Sequence, residues 1–400
     1  MKKILSIFVV SLLFINNIFA LPKLVYNTKK AVVDSGEKKE IKLNSSIELT
    51  KLMKTGWNLG NTMDSLGGSG LQSETSWGQP KTSQIMIEML ADSGIKTIRI
   101  PVSWANHLID GKYTIDPAWI TRVKEIVDWA IEYDMYVVLN THHDNFSSPK
   151  KMGKGKGYYP NSVNLAESSS YLANVWTQIG NAFNNSYDEH LIFETMNEPR
   201  LVGTDREWYN AFGTEEYKDA ADSLNKLNQV ALDAIRATGG NNEKRFVIVP
   251  GLRAAVDSVL ADEFKLPDDK ESGRLLVSVH MYTPYKFAME APGVKRFVDA
   301  HKMELETYFS RLDDKFAKNG VGIFVGEYGA TNKDNDEYRL LWFESFLTSA
   351  KNHNAICCLW DNGVDSADPK HGEHFGFYNR RQGMWFNEDF INKINEIYSK

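Results

Sequence analysis

Residues 191–199 read Leu-Ile-Phe-Glu-Thr-Met-Asn-Glu-Pro, a mostly apolar run that ends in Asn197-Glu198-Pro199. A run of this length and composition reads as a strand, and its polar end then falls at the strand's carboxyl terminus. Working outward, similar short apolar runs occur at residues 54–59, 95–101, 135–140, 245–250, 275–281, 322–327 and 355–360. Between them lie helical stretches at 82–93, 117–133, 168–183, 217–238, 299–318 and 337–352, with 387–398 closing the chain. The link after the fifth run is thin, because 252–264 has room only for a short helix.

Eight buried-type strands with intervening helices argue for a parallel sheet with crossovers. Eight is the (β/α)8 count, so the expected fold class is α/β, a TIM barrel forming a single catalytic domain over residues 47–400. The competing architecture is a doubly wound open sheet, which usually carries a Gly-rich phosphate loop after its first strand. Gly67-Gly68-Ser69-Gly70 lies in that region but lacks the required spacing and any helix directly after it. It reads as a flexible loop.

The first twenty residues have the form of a secretory leader. Lys2 and Lys3 precede an apolar run from Ile4 to Phe14, and Ala20 suits the last position before cleavage. Residues 21–46 are Lys-rich and polar and read as a linker. Export, to the periplasm or outside the cell, is the expectation, with no membrane association once the leader is gone. The formal net charge of −6 disfavours nucleic acid or anionic lipid as a partner. A neutral polymer would be indifferent to it. The two cysteines, Cys357 and Cys358, are adjacent in a strand and point to opposite faces, so they read as packing residues rather than a disulfide.

In a barrel the carboxyl ends of the strands form the active face. Here those ends carry Arg99, then Asn140-Thr141-His142-His143-Asp144, Asn197-Glu198-Pro199, His280-Met281-Tyr282, Glu327-Tyr328-Gly329 and Trp360-Asp361-Asn362-Gly363. Two glutamates three strands apart face each other across the mouth, the arrangement that glycoside hydrolysis requires. Arg99 would hold a carboxylate ionised by charge-assisted hydrogen bonds, or form an ion pair in the barrel interior. His142, His143 and His280, with Asp144, raise a zinc site. However, barrel metallohydrolases usually carry a His-x-His pair on the first strand, and that strand ends Gly56-Trp57-Asn58-Leu59. No metal and no cofactor are expected. A serine hydrolase reading fails for want of a G-x-S-x-G elbow. The other histidines, at 107, 190, 301, 353, 371 and 374, read as surface or loop residues, the last two near the mouth. Trp57, Trp77, Trp104, Trp360 and Trp385, with Tyr158 and Tyr159, follow strand ends, where aromatic rings would stack on pyranose faces or join the core. Trp360 is the strongest of these for a sugar site.

These segments resemble glycoside hydrolase family 5, in its bacterial endoglucanase-like branch. They are Gly56-Trp57-Asn58-Leu59-Gly60-Asn61-Thr62, Glu74-Thr75-Ser76-Trp77-Gly78, Ile98-Arg99-Ile100-Pro101, His142-His143-Asp144, Asn197-Glu198-Pro199, His280-Met281-Tyr282, Glu327-Tyr328-Gly329 and Trp360-Asp361-Asn362-Gly363, in that order. The resemblance implies a retaining double displacement, with Glu198 as acid/base and Glu327 as nucleophile. It implies that Arg99 and Tyr282 flank Glu327, and that Asn197 binds the sugar 2-hydroxyl. His142 and His280 would contact that sugar or orient the carboxylates, Trp360 would form its floor, and Asn61, Trp77 and His143 would support binding. The segment His374-Phe375-Gly376-Phe377-Tyr378-Asn379-Arg380 departs from the usual family pattern, which leaves the glycan open. The function expected is a secreted endo-β-1,4-glucanase, cellulase-like and acting as a monomer on β-glucan chains. Mannanase, xylanase or xyloglucanase activity, a non-catalytic glycan-binding barrel, and a metal-dependent hydrolase stand as the alternatives.

Overall fold

The structure is a computed structural model that describes residues 21–146, 157–209, 211–368, 370 and 373–399. The expected leader at 1–20, and His371, lie outside the described residues. A short helix, α1 (Ser46–Met53), starts at the Ser45 cap and leads into strand β1 (Thr55–Asn58). Then follow α2 (Gln84–Asp92), β2 (Thr97–Ile100), α3 (Pro117–Glu132), β3 (Tyr136–Asn140), α4 (Leu165–Ala182), β4 (Leu191–Glu194) and α5 (Glu215–Ala237). The second half contains β5 (Val247–Ala255), α6 (Val256–Leu260), β6 (Leu275–Met281), α7 (Tyr285–Ala288), α8 (Asp299–Lys315), β7 (Gly322–Tyr328), α9 (Asp336–Asn352) and β8 (Ala355–Leu359). A two-strand ribbon of β9 (Tyr378–Asn379) and β10 (Met384–Trp385) precedes α10 (Glu388–Ser399). Strands β1 to β8 pair in sequence order, all parallel, and β8 closes on β1. The (β/α)8 barrel is therefore the fold. Among the described residues no helix is long and apolar enough to cross a membrane.

The alternation of each strand sorts its side chains between two cores. Ile98 and Ile100, Val137 and Leu139, Leu191 and Phe193, and Val277 and Val279 pack outward against the helices. Their neighbours Val138, Ile192, Ile248, Leu276, Phe324, Ile356 and Cys358 point inward, where Leu49 and Met53 of α1 plug the amino-terminal end. The two cysteines divide as expected, Cys357 outward and Cys358 inward, both free and buried. Above this apolar plug the same alternation places Asn58, Arg99, Asn140, Glu194 and Ser278 inside the barrel, all fully buried.

Strand β7 breaks the alternation once. Val279 pairs with Val325, but His280 pairs with Glu327, so Gly326 is an extra residue on β7. This bulge reverses the facing of the residues after it. Tyr328 packs into the outer core and Glu327 turns to the barrel axis. A Cβ on Gly326 would lie 3.0 Å from His280 Nε2 and 3.3 Å from Glu194 Oε1.

Residues 21–46, expected as a free linker, are a strap laid on the barrel. Apart from a 3-10 turn at Thr28–Lys30 and the first residue of α1 they carry no regular structure, but their backbone is tied down. Val25 N donates to Asn174 Oδ1 at 2.8 Å, and Asn27 N to Thr114 Oγ1 at 2.7 Å. Asp34 accepts from Ser186 N and Ser186 Oγ, both at 2.7 Å, and Asn241 Nδ2 donates to Lys39 O at 2.7 Å. Polar composition signalled exposure. It did not signal the backbone partners that fix the path.

Candidate active site

The polar layer inside the barrel is the floor of the site. Arg99, on β2, spends its guanidinium on four partners: Glu194 Oε2 at 2.8 Å, Asn58 Oδ1 at 2.9 Å, Glu327 Oε1 at 3.0 Å and Asn197 Oδ1 at 2.6 Å. Burial disfavours its charge, but Glu194 and Glu327 outweigh that and raise its pKa. Arg99 thus pairs both with an interior acid and with Glu327. Glu194 was not singled out in the sequence, although it follows Phe193 in an apolar strand and alternation turns it inward. It also accepts from Asn140 Nδ2 at 3.0 Å and from Ser278 Oγ at 2.7 Å, so its carboxylate has a donor at both oxygens.

Glu198 and Glu327 rise from opposite sides with His280 between them. His280 Nδ1 lies 2.7 Å from Glu198 Oε1 and 3.5 Å from Glu327 Oε2. The facing carboxylate oxygens lie within 4.8 Å of one another. Tyr282 Oη donates to Glu327 Oε2 at 2.9 Å, so both oxygens of Glu327 accept a hydrogen bond. Burial holds the Glu327 carboxyl above its ordinary range, with Glu198 adding to the effect and His280, Arg99 and Tyr282 opposing it. For Glu198 burial is outweighed by the hydrogen bond from His280 and by Arg200, and the carboxyl is held low. His280 is raised: burial works against its charge, but Glu327 and Glu198 on either side prevail. The three groups thus form one proton-sharing unit.

The walls come from the remaining strand ends. The ring of Trp360 lies parallel to that of His142, centroids 5.9 Å apart, and Gly60 admits this indole: a Cβ there would meet it at 2.9 Å. His143 is flanked by Trp77, 5.6 Å away and 39% exposed on the rim. Asn61 sits half-buried on the turn after β1, its N–H donating to Asp64 Oδ2 at 3.1 Å. All eleven candidate site residues therefore lie at the carboxyl end of the barrel. Trp57, Trp104, Trp385, Tyr158 and Tyr159 do not line the cleft but are buried in the core. His107 and His374, expected at the surface, are buried too, His107 stacked on Trp119 at 3.6 Å.

The ligand set considered for a metal does not assemble. Asp144 caps the turn after β2, accepting from Trp104 N and Ala105 N at 2.9 Å, and His280 belongs to the carboxylates. Among the described residues another cluster, Asp64, His142 and His143, brings three donor atoms within 4.8 Å. There, Asn140 Oδ1 accepts from Val102 N, which turns its amide nitrogen toward His142 Nδ1 at 3.2 Å. His142 Nδ1 must then accept, the proton sits on Nε2, and that nitrogen has no lone pair for a metal.

Comparison with known proteins agrees with this geometry. The family described as "Cellulase (glycosyl hydrolase family 5)" matches residues 61–366. Endoglucanase B of Ruminococcus albus is 38% identical over 92% of this chain and 86% of its own length. Endoglucanase 1 of the same organism is 40% identical over 90% and 82%. Among solved structures, a family 5 lichenase from Caldicellulosiruptor in complex with cellotetraose superposes with a TM-score of 0.83 at 36% identity, covering 92% of this chain and all of that one. A broad-specificity endoglucanase from Ruminococcus champanellensis with bound cellotriose gives 0.80 at 34%, covering 90% of this chain and 99% of that one. Arg99, Glu198, His280 and Glu327 all fall within the matched span, and this chain belongs to glycosyl hydrolase family 5: it is a glycoside hydrolase.

Proposed function

We propose that the protein is a retaining endo-β-1,4-glucanase acting on soluble or cellulose-like β-glucan. The observation that carries the reading is the closeness of the two carboxylates, whose facing oxygens lie within 4.8 Å. Retaining enzymes hold their carboxyl groups about 5–5.5 Å apart, whereas inverting enzymes leave roughly 6.5–9.5 Å for a water. Glu327, with Arg99 and Tyr282 donating to its two oxygens, is the nucleophile that attacks the anomeric carbon. Glu198 protonates the departing oxygen, then takes a proton from the water that releases the glycosyl group.

The proton for the first step is held on the 2.7 Å contact between His280 and Glu198. Passing it from Nδ1 to the carboxylate leaves a neutral imidazole and a protonated acid beside the scissile oxygen. Asn197 is locked by Arg99 with its amide nitrogen free to meet the sugar 2-hydroxyl, and Trp360 offers an apolar face beneath the ring. The glucan substrate is supported by the relatives' names as endoglucanases and by the cello-oligosaccharides bound in the solved neighbours. Export is supported by the leader-like pattern of residues 1–20.

The test is reducing-sugar release from carboxymethylcellulose, barley β-glucan, xyloglucan, glucomannan, galactomannan and xylan, with Glu327→Ala beside wild type. Cleavage of one or more glucans that is lost in the variant supports the reading. Cleavage confined to xylan or galactomannan, or retained in Glu327→Ala, defeats it.

A further inference from the structure

Trp77 rides on a loop whose two ends meet at a buried ion pair with α3. Glu74 Oε1 accepts from Thr82 N at 2.7 Å and from Arg122 Nη2 at 2.8 Å, and Oε2 accepts from Arg122 Nε at 2.9 Å. The same Nη2 donates to Thr82 O at 2.6 Å. Glu74 and Thr82 therefore close the base of the loop, and α3 supplies the guanidinium that fastens it. Glu74 is 1% exposed and Arg122 is 5% exposed. Arg122 also bonds Glu125 and lies over the Trp129 ring at 5.2 Å, so its own position is set from α3.

The clamp has a geometry that a simple stability contact would not need. It is bidentate, which fixes orientation as well as distance. It grips the loop on both sides of Trp77, which stays 39% exposed beside the cleft. The loop makes a further contact with the neighbouring loop after β8, Gln79 Nε2 donating to Asn362 O at 2.9 Å, just after Trp360 in sequence. A stacking platform contributes only if its ring is held in place before the sugar arrives, since ordering it on binding costs affinity.

We propose that the Glu74–Arg122 pair is a positioning device for Trp77, holding the indole beside His143 as a stacking face for a glucan ring beyond the one at Glu327. The inference rests on the β-glucan reading of the site. Neither Glu74 nor Arg122 touches the reacting atoms, so the pair acts through Trp77.

The experiment is a double-mutant cycle on the full-length enzyme with the best soluble β-glucan, comparing wild type, Glu74→Gln, Trp77→Ala and the double variant. Folding is checked by circular dichroism. If Glu74→Gln does not fold, Arg122→Lys, which keeps the charge but loses the fork, takes its place in the cycle. The expected result is a KM raised about tenfold in either single variant, with kcat within about twofold of wild type. In the Trp77→Ala background the clamp substitution should change KM by less than about twofold. Losses that multiply, or a clamp variant that lowers kcat at unchanged KM, overturn the proposal while the glucanase reading stands. A wild-type enzyme that cleaves no glucan overturns both.

Discussion

Arg99 Nη1 lies 3.0 Å from Glu327 Oε1, with Arg99 wholly buried and Glu327 6% exposed. Both groups are charged and almost withdrawn from water, which is tolerable only because each has other partners. Glu194 balances the guanidinium from below, and Tyr282 bonds the second carboxylate oxygen from the side. The pair is thus as much a part of the barrel interior as of the cleft.

Arg99→Lys tests that dual role. Lysine keeps the charge but cannot reach Glu194, Asn58, Asn197 and Glu327 together, and it leaves buried acceptors unpaired. Unfolding free energy should fall by about 3 kcal/mol or more. Turnover should fall at least about tenfold through loss of one charge-assisted bond to Glu327. Urea titration and steady-state kinetics check the two effects. Wild-type turnover in a folded variant contradicts the assignment.

The bulge at Gly326 gives a second test. An added methyl group would press on His280 Nε2, the Phe324 ring and Glu194 Oε1 at 3.0–3.3 Å. Because the bulge aims Glu327, Gly326→Ala should depress kcat more than KM, with a loss of about 1–3 kcal/mol in stability from overpacking. A variant with wild-type kcat would show that the facing of Glu327 does not depend on this residue.

The pH dependence of stability follows from Asp144. Burial raises its carboxyl from 3.8 to about 6, against the pull of the Ala105 and Trp104 N–H groups and Tyr171. A folded-state value above the unfolded one means that the folded protein binds the extra proton. Its contribution is therefore fully present below 3.8 and is lost as the pH rises through about 6. Asp144→Asn keeps an oxygen to accept from Trp104 and Ala105 but does not titrate. Between pH 4 and pH 7 the wild-type Tm should fall relative to that of the variant, by the equivalent of roughly 3 kcal/mol. Parallel Tm curves for the two proteins over that range would contradict the burial argument.

Activity should carry the signature of His280. With its pKa raised by Glu327 and Glu198, the proton shared with Glu198 is kept to higher pH than an ordinary imidazole keeps it. The alkaline limb of kcat/KM should therefore lie above pH 6.5 and move to lower pH in His280→Gln, where the proton must reside on Glu198 itself. An alkaline limb in the same place in both enzymes would show that His280 does not hold the catalytic proton.

The barrel was legible because its signal repeats: eight apolar runs, six of them ending in ionisable, amide or aromatic residues. Edges were less so. Strand β5 was expected to stop at Pro250 but runs to Ala255, through Arg253 and Ala254 at positive φ (60° and 49°) and an irregular register against β6. Helix α1 was not singled out, although Ser45 and the spacing of Leu49 and Met53 mark it. At the site, Arg99, His280 and Glu327 were found although they lie within strands β2, β6 and β7, while Glu194, Asn58 and Ser278 were not singled out. Glu194, Asn58 and Ser278 sit inside apolar runs, where one polar residue looks like noise until the barrel closes and they share Arg99 or Glu194. The aromatic residues divided on depth, which a linear sequence does not carry: Trp57 and Trp104 are core, while Trp77 is exposed at the rim.

The central claim is that Glu327 forms a covalent bond to sugar, and trapping tests it most directly. A 2-deoxy-2-fluoro-β-cellobioside with a good leaving group slows both steps, and slows release of the glycosyl group enough for it to accumulate. Intact mass spectrometry should show one fluorocellobiosyl group per protein, and peptide mapping should locate it on Glu327. Label on another residue, or turnover of the reagent by a single displacement with inverted product and no label, would contradict the account.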